Sequence, residues 1–102
     1  MQDVKLTLLK EAKKHYAKEG FDIIGYFGSY ARGEATPKSD IDILYELNEK
    51  FLQIYSGFLA FARLKEIKEE LKKRFGIEVD ISAKNSLSKT AHKYIMKDLK
   101  YV

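Results

Sequence analysis

An α/β (α+β) domain, a small mixed β-sheet with helices packed mainly on one face, is what this sequence predicts, on three observations. Two stretches alternate apolar and polar residues, at Asp40–Leu47 and Ile77–Ser82, as half-buried strands do. Two longer stretches, from Asp3 to Glu19 and from Phe58 to Phe75, repeat apolar residues every three or four positions, the spacing of an amphipathic helix. Glycines stand at the joins, among them Gly20, Gly33 and Gly76, where helices end. The 102 residues suit one domain, 1–102, with one core. Apolar residues at 45% and charged residues at 33% are the composition of a folded chain, not a disordered one.

The elements follow in order. Val4, Leu8, Leu9, Ala12 and Tyr16 line one face of the first helix, which Gly20 stops. Phe21-Asp22-Ile23-Ile24-Gly25-Tyr26-Phe27 is short, apolar and rich in β-formers, which reads as a mostly buried strand. Gly28-Ser29 follows, and Tyr30-Ala31-Arg32 makes a short helical turn closed by Gly33; Thr36-Pro37-Lys38-Ser39 has turn chemistry. In the second strand, alternation puts Asp40, Asp42, Leu44 and Glu46 on one face, with Ile41, Ile43, Tyr45 and Leu47 on the other. Residues 48–57 read only as a connection. The next helix carries Phe58, Phe61, Leu64, Ile67, Leu71 and Phe75. The third strand points Ile77, Val79 and Ile81 inward and Glu78, Asp80 and Ser82 outward, and a last helix spans about Ser88 to Leu99. The pattern leaves open whether the second and third strands run parallel.

Composition excludes several chemistries. With no cysteine, disulfides, thiolate catalysis and cysteine-bound zinc are out. His15 and His92 have no metal-ligand spacing to one another. No apolar run reaches the ~18 residues of a membrane span, and the N-terminus lacks a signal-peptide pattern, so a cytoplasmic protein with no membrane association is expected. The net charge of +4 invites a nucleic-acid reading. Its distribution argues otherwise: residues 20–62 hold three basic and six acidic side chains, while the lysines concentrate in the helices. Lysines on an amphipathic helix are usually a solvated face, and no base-stacking aromatic pattern interleaves them. No direct nucleic-acid binding is expected.

The chemistry-bearing stretch is Gly28-Ser29-Tyr30-Ala31-Arg32-Gly33 followed by Asp40-Ile41-Asp42. Strand geometry sets Asp40 and Asp42 on one face, about 6.5–7 Å apart. Carboxylates that close repel unless a proton or cation lies between them, and hard cations such as Mg²⁺ take oxygen ligands. Asp80 joins them if its strand neighbours the second. Gly28-Ser29, after a buried strand, frees backbone amides and a hydroxyl for a phosphate, and Arg32 adds charge one turn on. Each part alone has a plainer explanation: a charged strand edge, an N-cap serine, a surface arginine. Their joint order is what points to phosphoryl or nucleotidyl transfer. A Walker-type loop is excluded, because Glu34 stands where lysine is required.

Gly28-Ser29, ten residues, then Asp40-Ile41-Asp42 resembles the signature of the polymerase-β-like nucleotidyltransferase superfamily. The longer string GSYARGEATPKSDIDIL resembles its minimal nucleotidyltransferase branch, the MntA-type antitoxins, and the likeness covers nearly the whole chain. The resemblance implies the polymerase-β-like fold. It implies two Mg²⁺ ions at Asp40 and Asp42, with Asp80 completing the metal site and helping to deprotonate an acceptor hydroxyl. Gly28, Ser29 and Arg32 would bind the triphosphate of ATP. The implied reaction is transfer of AMP to a tyrosine hydroxyl of a HEPN-domain ribonuclease toxin, silencing it as its antitoxin. A rival reading is an antitoxin that neutralises by binding alone. The larger relatives carry acceptor-binding domains that this chain lacks, so a partner or a second copy of the chain must supply the acceptor. Phe51, Tyr55, Phe58 and Phe61 could face that partner in part, although Phe58 and Phe61 equally suit the core.

Overall fold

The structure is a computed structural model that describes residue 1 and residues 3–102. Among these the elements run α1 (Asp3–Ala17), β1 (Phe21–Phe27), α2 (Ser29–Arg32), β2 (Ile41–Leu47), α3 (Glu49–Ile54), α4 (Phe58–Phe75), β3 (Val79–Ala83), α5 (Lys89–Asp98) and β4 (Lys100–Tyr101), with a 3₁₀ turn at Lys84–Ser86. The sheet order is β3-β2-β1-β4. β1 pairs antiparallel with β2 and β4, whereas β2 and β3 run parallel. This resolves the orientation that the alternation left open: the α3–α4 connection carries the chain back along the sheet before β3 begins, as parallel pairing requires.

One face of the sheet holds the core. Leu9, Ala12 and Tyr16 of α1 and Ile67, Leu71 and Phe75 of α4 pack with Phe21 and Ile23, with Ile41, Ile43 and Tyr45, and with Val79. Phe21 stacks on Tyr45 with ring centroids 4.5 Å apart. Alternation therefore identified the inward residues of β2, with one exception. Leu44, expected on the polar face beside Asp42, is fully buried. It lies outside the main core cluster, on the side of β2 that alternation shares with Asp42; the 3₁₀ turn also contacts β2, and α5 contacts β1. A bulge between Ile23 and Gly25 offsets the β1–β2 register there.

Other differences have local causes. Residues 48–57 contain α3, whose start is fixed by Asn48 accepting a hydrogen bond from the Lys50 amide at 2.9 Å; Phe51 anchors it in the core. β3 begins at Val79, not Ile77. The two residues of β4 lie against β1 because Gly25 has no side chain: a Cβ there would strike the Lys100 carbonyl. The largest departure is in α4. Phe58 is 90% and Phe61 71% exposed, so the buried stripe of α4 starts only at Ile67, with Ala60 and Leu64 partly buried ahead of it.

Near the start of β1 the polar groups are matched. Arg63 donates to both Glu19 oxygens, at 2.6 and 2.7 Å, and to Glu70 at 2.9 Å. Tyr16 donates to Glu70 and Tyr55 to Glu19, each at 2.6 Å. The Arg63 hydrogen bonds hold the Glu19 carboxyl below its ordinary value. Burial, and then donation to Glu70, pushes the Tyr16 hydroxyl well above its own.

Candidate functional site

The site grows from the end of β1. Gly28 has φ +75°, in the left-handed region that favours glycine, and any Cβ there would collide with the Asp42 carboxylate. The Gly28 carbonyl accepts from the amides of Ala31 (3.0 Å) and Arg32 (3.1 Å). That leaves the Ser29 and Tyr30 amides, at the start of α2, outside the helical ladder. With only four residues, α2 has little macrodipole; the polarity of this turn resides in its amides and in Ser29.

β-pairing then delivers the carboxylates. Asp42 sits opposite Phe27 across the β1–β2 ladder and in register with Asp80 across the parallel β2–β3 ladder. Neighbouring strands lie about 4.8 Å apart, so Asp42 and Asp80 stand side by side. Asp40 precedes β2, presented by a turn in which the Thr36 amide donates to Ser39 Oγ at 2.8 Å. Asp42 is half-buried and Asp40 and Asp80 are exposed. Burial, and then the negative charges of Asp80 and Asp40, raise the Asp42 carboxyl above its ordinary value, with Arg32 opposing. No three carboxylate or imidazole side chains among the described residues are gathered closely enough to hold one ion. Lys68 of α4 lies 3.6 Å from Asp80. An all-oxygen donor set, with its most buried member short of positive charge, nonetheless has the chemistry a hard divalent cation takes; Asp40, Asp42 and Asp80 would have to draw closer together to hold it.

Arg32 points elsewhere. Its guanidinium donates to Asp98 at 2.9 Å and to Glu34 at 3.2 Å. Such exposed bridges are weak in water, so a phosphate could take them over at little cost. Sequence reasoning missed the lysines near Asp40. An open cleft of about 620 Å³ beside it is lined by Lys38, Lys72 and Lys73 together with Glu69 and Glu78, and Lys72 bridges Glu78 at 3.1 Å and Glu69 at 3.3 Å. On α4 alone Lys72 and Lys73 have the pattern of a solvated face; only the return of α4 to the start of β3 sets them by Asp40. A second recess of about 560 Å³, lined by Lys5, Tyr30 and Gly33, lies across the 36–39 turn, with Pro37 on the wall of both. The turn thus separates two open spaces, of which the first is lined by Asp40.

The family model described as "Nucleotidyltransferase domain" matches residues 7–102. The protein adenylyltransferase MntA of Thermococcus cleftensis is 33% identical over 102 residues, covering 100% of this chain and 95% of its own. A candidate protein adenylyltransferase of Methanocaldococcus jannaschii is 38% identical over 103 residues, covering 100% of this chain and 97% of its own. Among solved structures, a candidate minimal nucleotidyltransferase superposes with a TM-score of 0.71 at 25% identity, over 99% of this chain and 97% of that one. A toxin–antitoxin structure with AMP-PNP gives 0.70 at 19% identity, over 98% and 72% respectively; at that identity the likeness is one of fold.

Proposed function

This chain belongs to the nucleotidyltransferase-domain family, and on that premise we propose that it is a cytoplasmic antitoxin that transfers AMP from ATP to a tyrosine hydroxyl of a partner HEPN-domain toxin. The observation that carries the reading is the in-register pair Asp42 and Asp80 beside the Gly28 turn, with Asp42 left short of positive charge. The naming of its relatives as protein adenylyltransferases supports the choice of nucleotide and acceptor class.

In this reading the free amides of Ser29 and Tyr30, with the Ser29 hydroxyl, hold the triphosphate. Arg32 exchanges Asp98 and Glu34 for phosphate oxygens. The acceptor oxygen attacks the α-phosphorus in line; the new P–O bond forms as the bond to the β-phosphate's bridging oxygen breaks, and pyrophosphate leaves. The hydroxyl proton passes to Asp80, the most exposed strand carboxylate of the site. Two Mg²⁺ ions, held by Asp40, Asp42 and Asp80, would supply the charge that activates the hydroxyl and stabilises the leaving group.

The test is incorporation of α-labelled ATP into the purified toxin with Mg²⁺. Label on the toxin that falls by orders of magnitude in Asp40→Asn is the expected result. Absence of label with the native chain, under Mg²⁺ and Mn²⁺ alike, defeats the proposal. If an Asp40→Asn, Asp42→Asn chain still protects cells from the toxin, neutralisation is by binding and not by transfer.

A further inference from the structure

Residues 51–62 carry no charged side chain, although a third of the chain is charged. They form the end of α3, the turn at Gly57 and the first turn of α4. Phe51 is buried, but Leu52, Ile54, Phe58, Leu59 and Phe61 are exposed. The apolar stripe of α4 is continuous in sequence; its later members Ile67, Leu71 and Phe75 cover the sheet, and its first two overhang into solvent. At roughly 200 Å² for each phenylalanine, Phe58 and Phe61 alone expose on the order of 300 Å². Summed, the five side chains leave about 600 Å² open, most of the ~800 Å² each partner brings to a standard interface.

We infer that this overhang is the docking surface for a second copy of the chain. Three observations select that occupant. The patch is uncharged, so two copies, each with a net charge of +4, meet there without like charges in contact, and the same patch serves on both sides of a two-fold axis. Its composition, phenylalanine and aliphatic residues without a charged anchor, is that of a homodimer core and not of a surface that releases a substrate after each turnover. Its position is the end of the sheet opposite the carboxylates: β2 runs from Asp42 toward α3, and the 18 residues of α4 return about 27 Å. A molecule presenting its hydroxyl to Asp80 engages the other end, so a permanent occupant of the overhang leaves both sites of the dimer open. The selection by position rests on the proposed transfer reaction; that by charge and composition does not.

Sedimentation equilibrium of the full chain, from micromolar to several hundred micromolar, is the test. The native chain should reach twice its monomer mass by tens of micromolar, and the association should persist or tighten in 1 M NaCl. A Phe58→Ser, Phe61→Ser chain should remain monomeric with an unchanged circular dichroism spectrum, since neither side chain belongs to the core. Leu59→Glu, a single exposed change that brings like charges together across the axis, should weaken association at least tenfold and covers the case in which the double variant misfolds. A native chain that stays monomeric throughout, a dimer that salt dissociates, or a Leu59→Glu chain that pairs as tightly as the native one would overturn the inference. So would a patch occupied only when a toxin is added, because the occupant would then be a different protein.

Discussion

The two ends of the sheet treat charge in opposite ways. Where β1 begins, Arg63 faces Glu19 and Glu70, each carboxylate also takes a tyrosine hydroxyl, and the cluster ties α1 and the α3–α4 junction to α4. Where β1 ends, Asp42 is half-buried beside Asp80 and Asp40, with Arg32 turned to Asp98 and Glu34. The first arrangement supports the fold. The second costs stability and keeps a place for cationic and anionic ligands. Clusters of titratable groups can therefore anchor a structure or prime a site, depending on whether each charge has been matched.

The difference can be broken from either end. The largest effect is expected for Arg63→Met, which strands two partly buried carboxylates. It should lower stability by about 2–3 kcal/mol, read as a fall of roughly 10 °C or more in Tm, while leaving the distant carboxylate end intact. Gly28→Ala strikes the site end: a Cβ in positive φ, pressed on Asp42, should cost about 1–2 kcal/mol and reduce AMP transfer by more than the Arg63 variant does, measured at a temperature where both are folded. The smallest effect has the opposite sign. Asp42→Asn should raise Tm slightly at neutral pH even as it removes transfer, because it deletes a carboxylate that the fold holds in an unfavourable place.

A pH series of urea midpoints sharpens the same comparison. The Glu19 carboxyl is depressed by Arg63 from its ordinary 4.5, so its contribution is present above that value and is lost as pH falls through the depressed one. Asp42 is raised by burial and by Asp80 and Asp40 from 3.8. It favours the fold below that value and loses this advantage as pH rises through its elevated one. Native protein should therefore weaken on acidification below about pH 4.5, and Arg63→Met should flatten that decline. The gain from Asp42→Asn should be seen at pH 7 and vanish at pH 3.

What the sequence made legible was local. Period-two alternation located Asp40 and Asp42, and Gly28-Ser29 could be placed because a strand had to end there. Helix α3 escaped because its signal is a single Asn48 cap ahead of a six-residue turn. The burial of Leu44 was not legible, because alternation assigns a residue to a face of the strand without saying what covers that face. Lys68, Lys72 and Lys73 carry no sign of their neighbours, since only the crossover returns them to Asp80 and Asp40. Phe58 and Phe61 have the spacing of a core stripe, and periodicity alone does not reveal that a helix outruns its sheet.

The parallel pairing of β2 with β3 has a consequence for how the protein comes into being. Asp42 and Asp80 are drawn together only after the chain from Leu47 to Val79, with α3 and α4 inside it, has closed on itself, a slow, non-local step compared with forming the β1–β2 ladder. A partly folded molecule can own the glycine turn and Asp42 yet lack the neighbouring carboxylate. The acidic pair is thus a certificate of completed folding, and a half-assembled chain has no means of imitating the finished one.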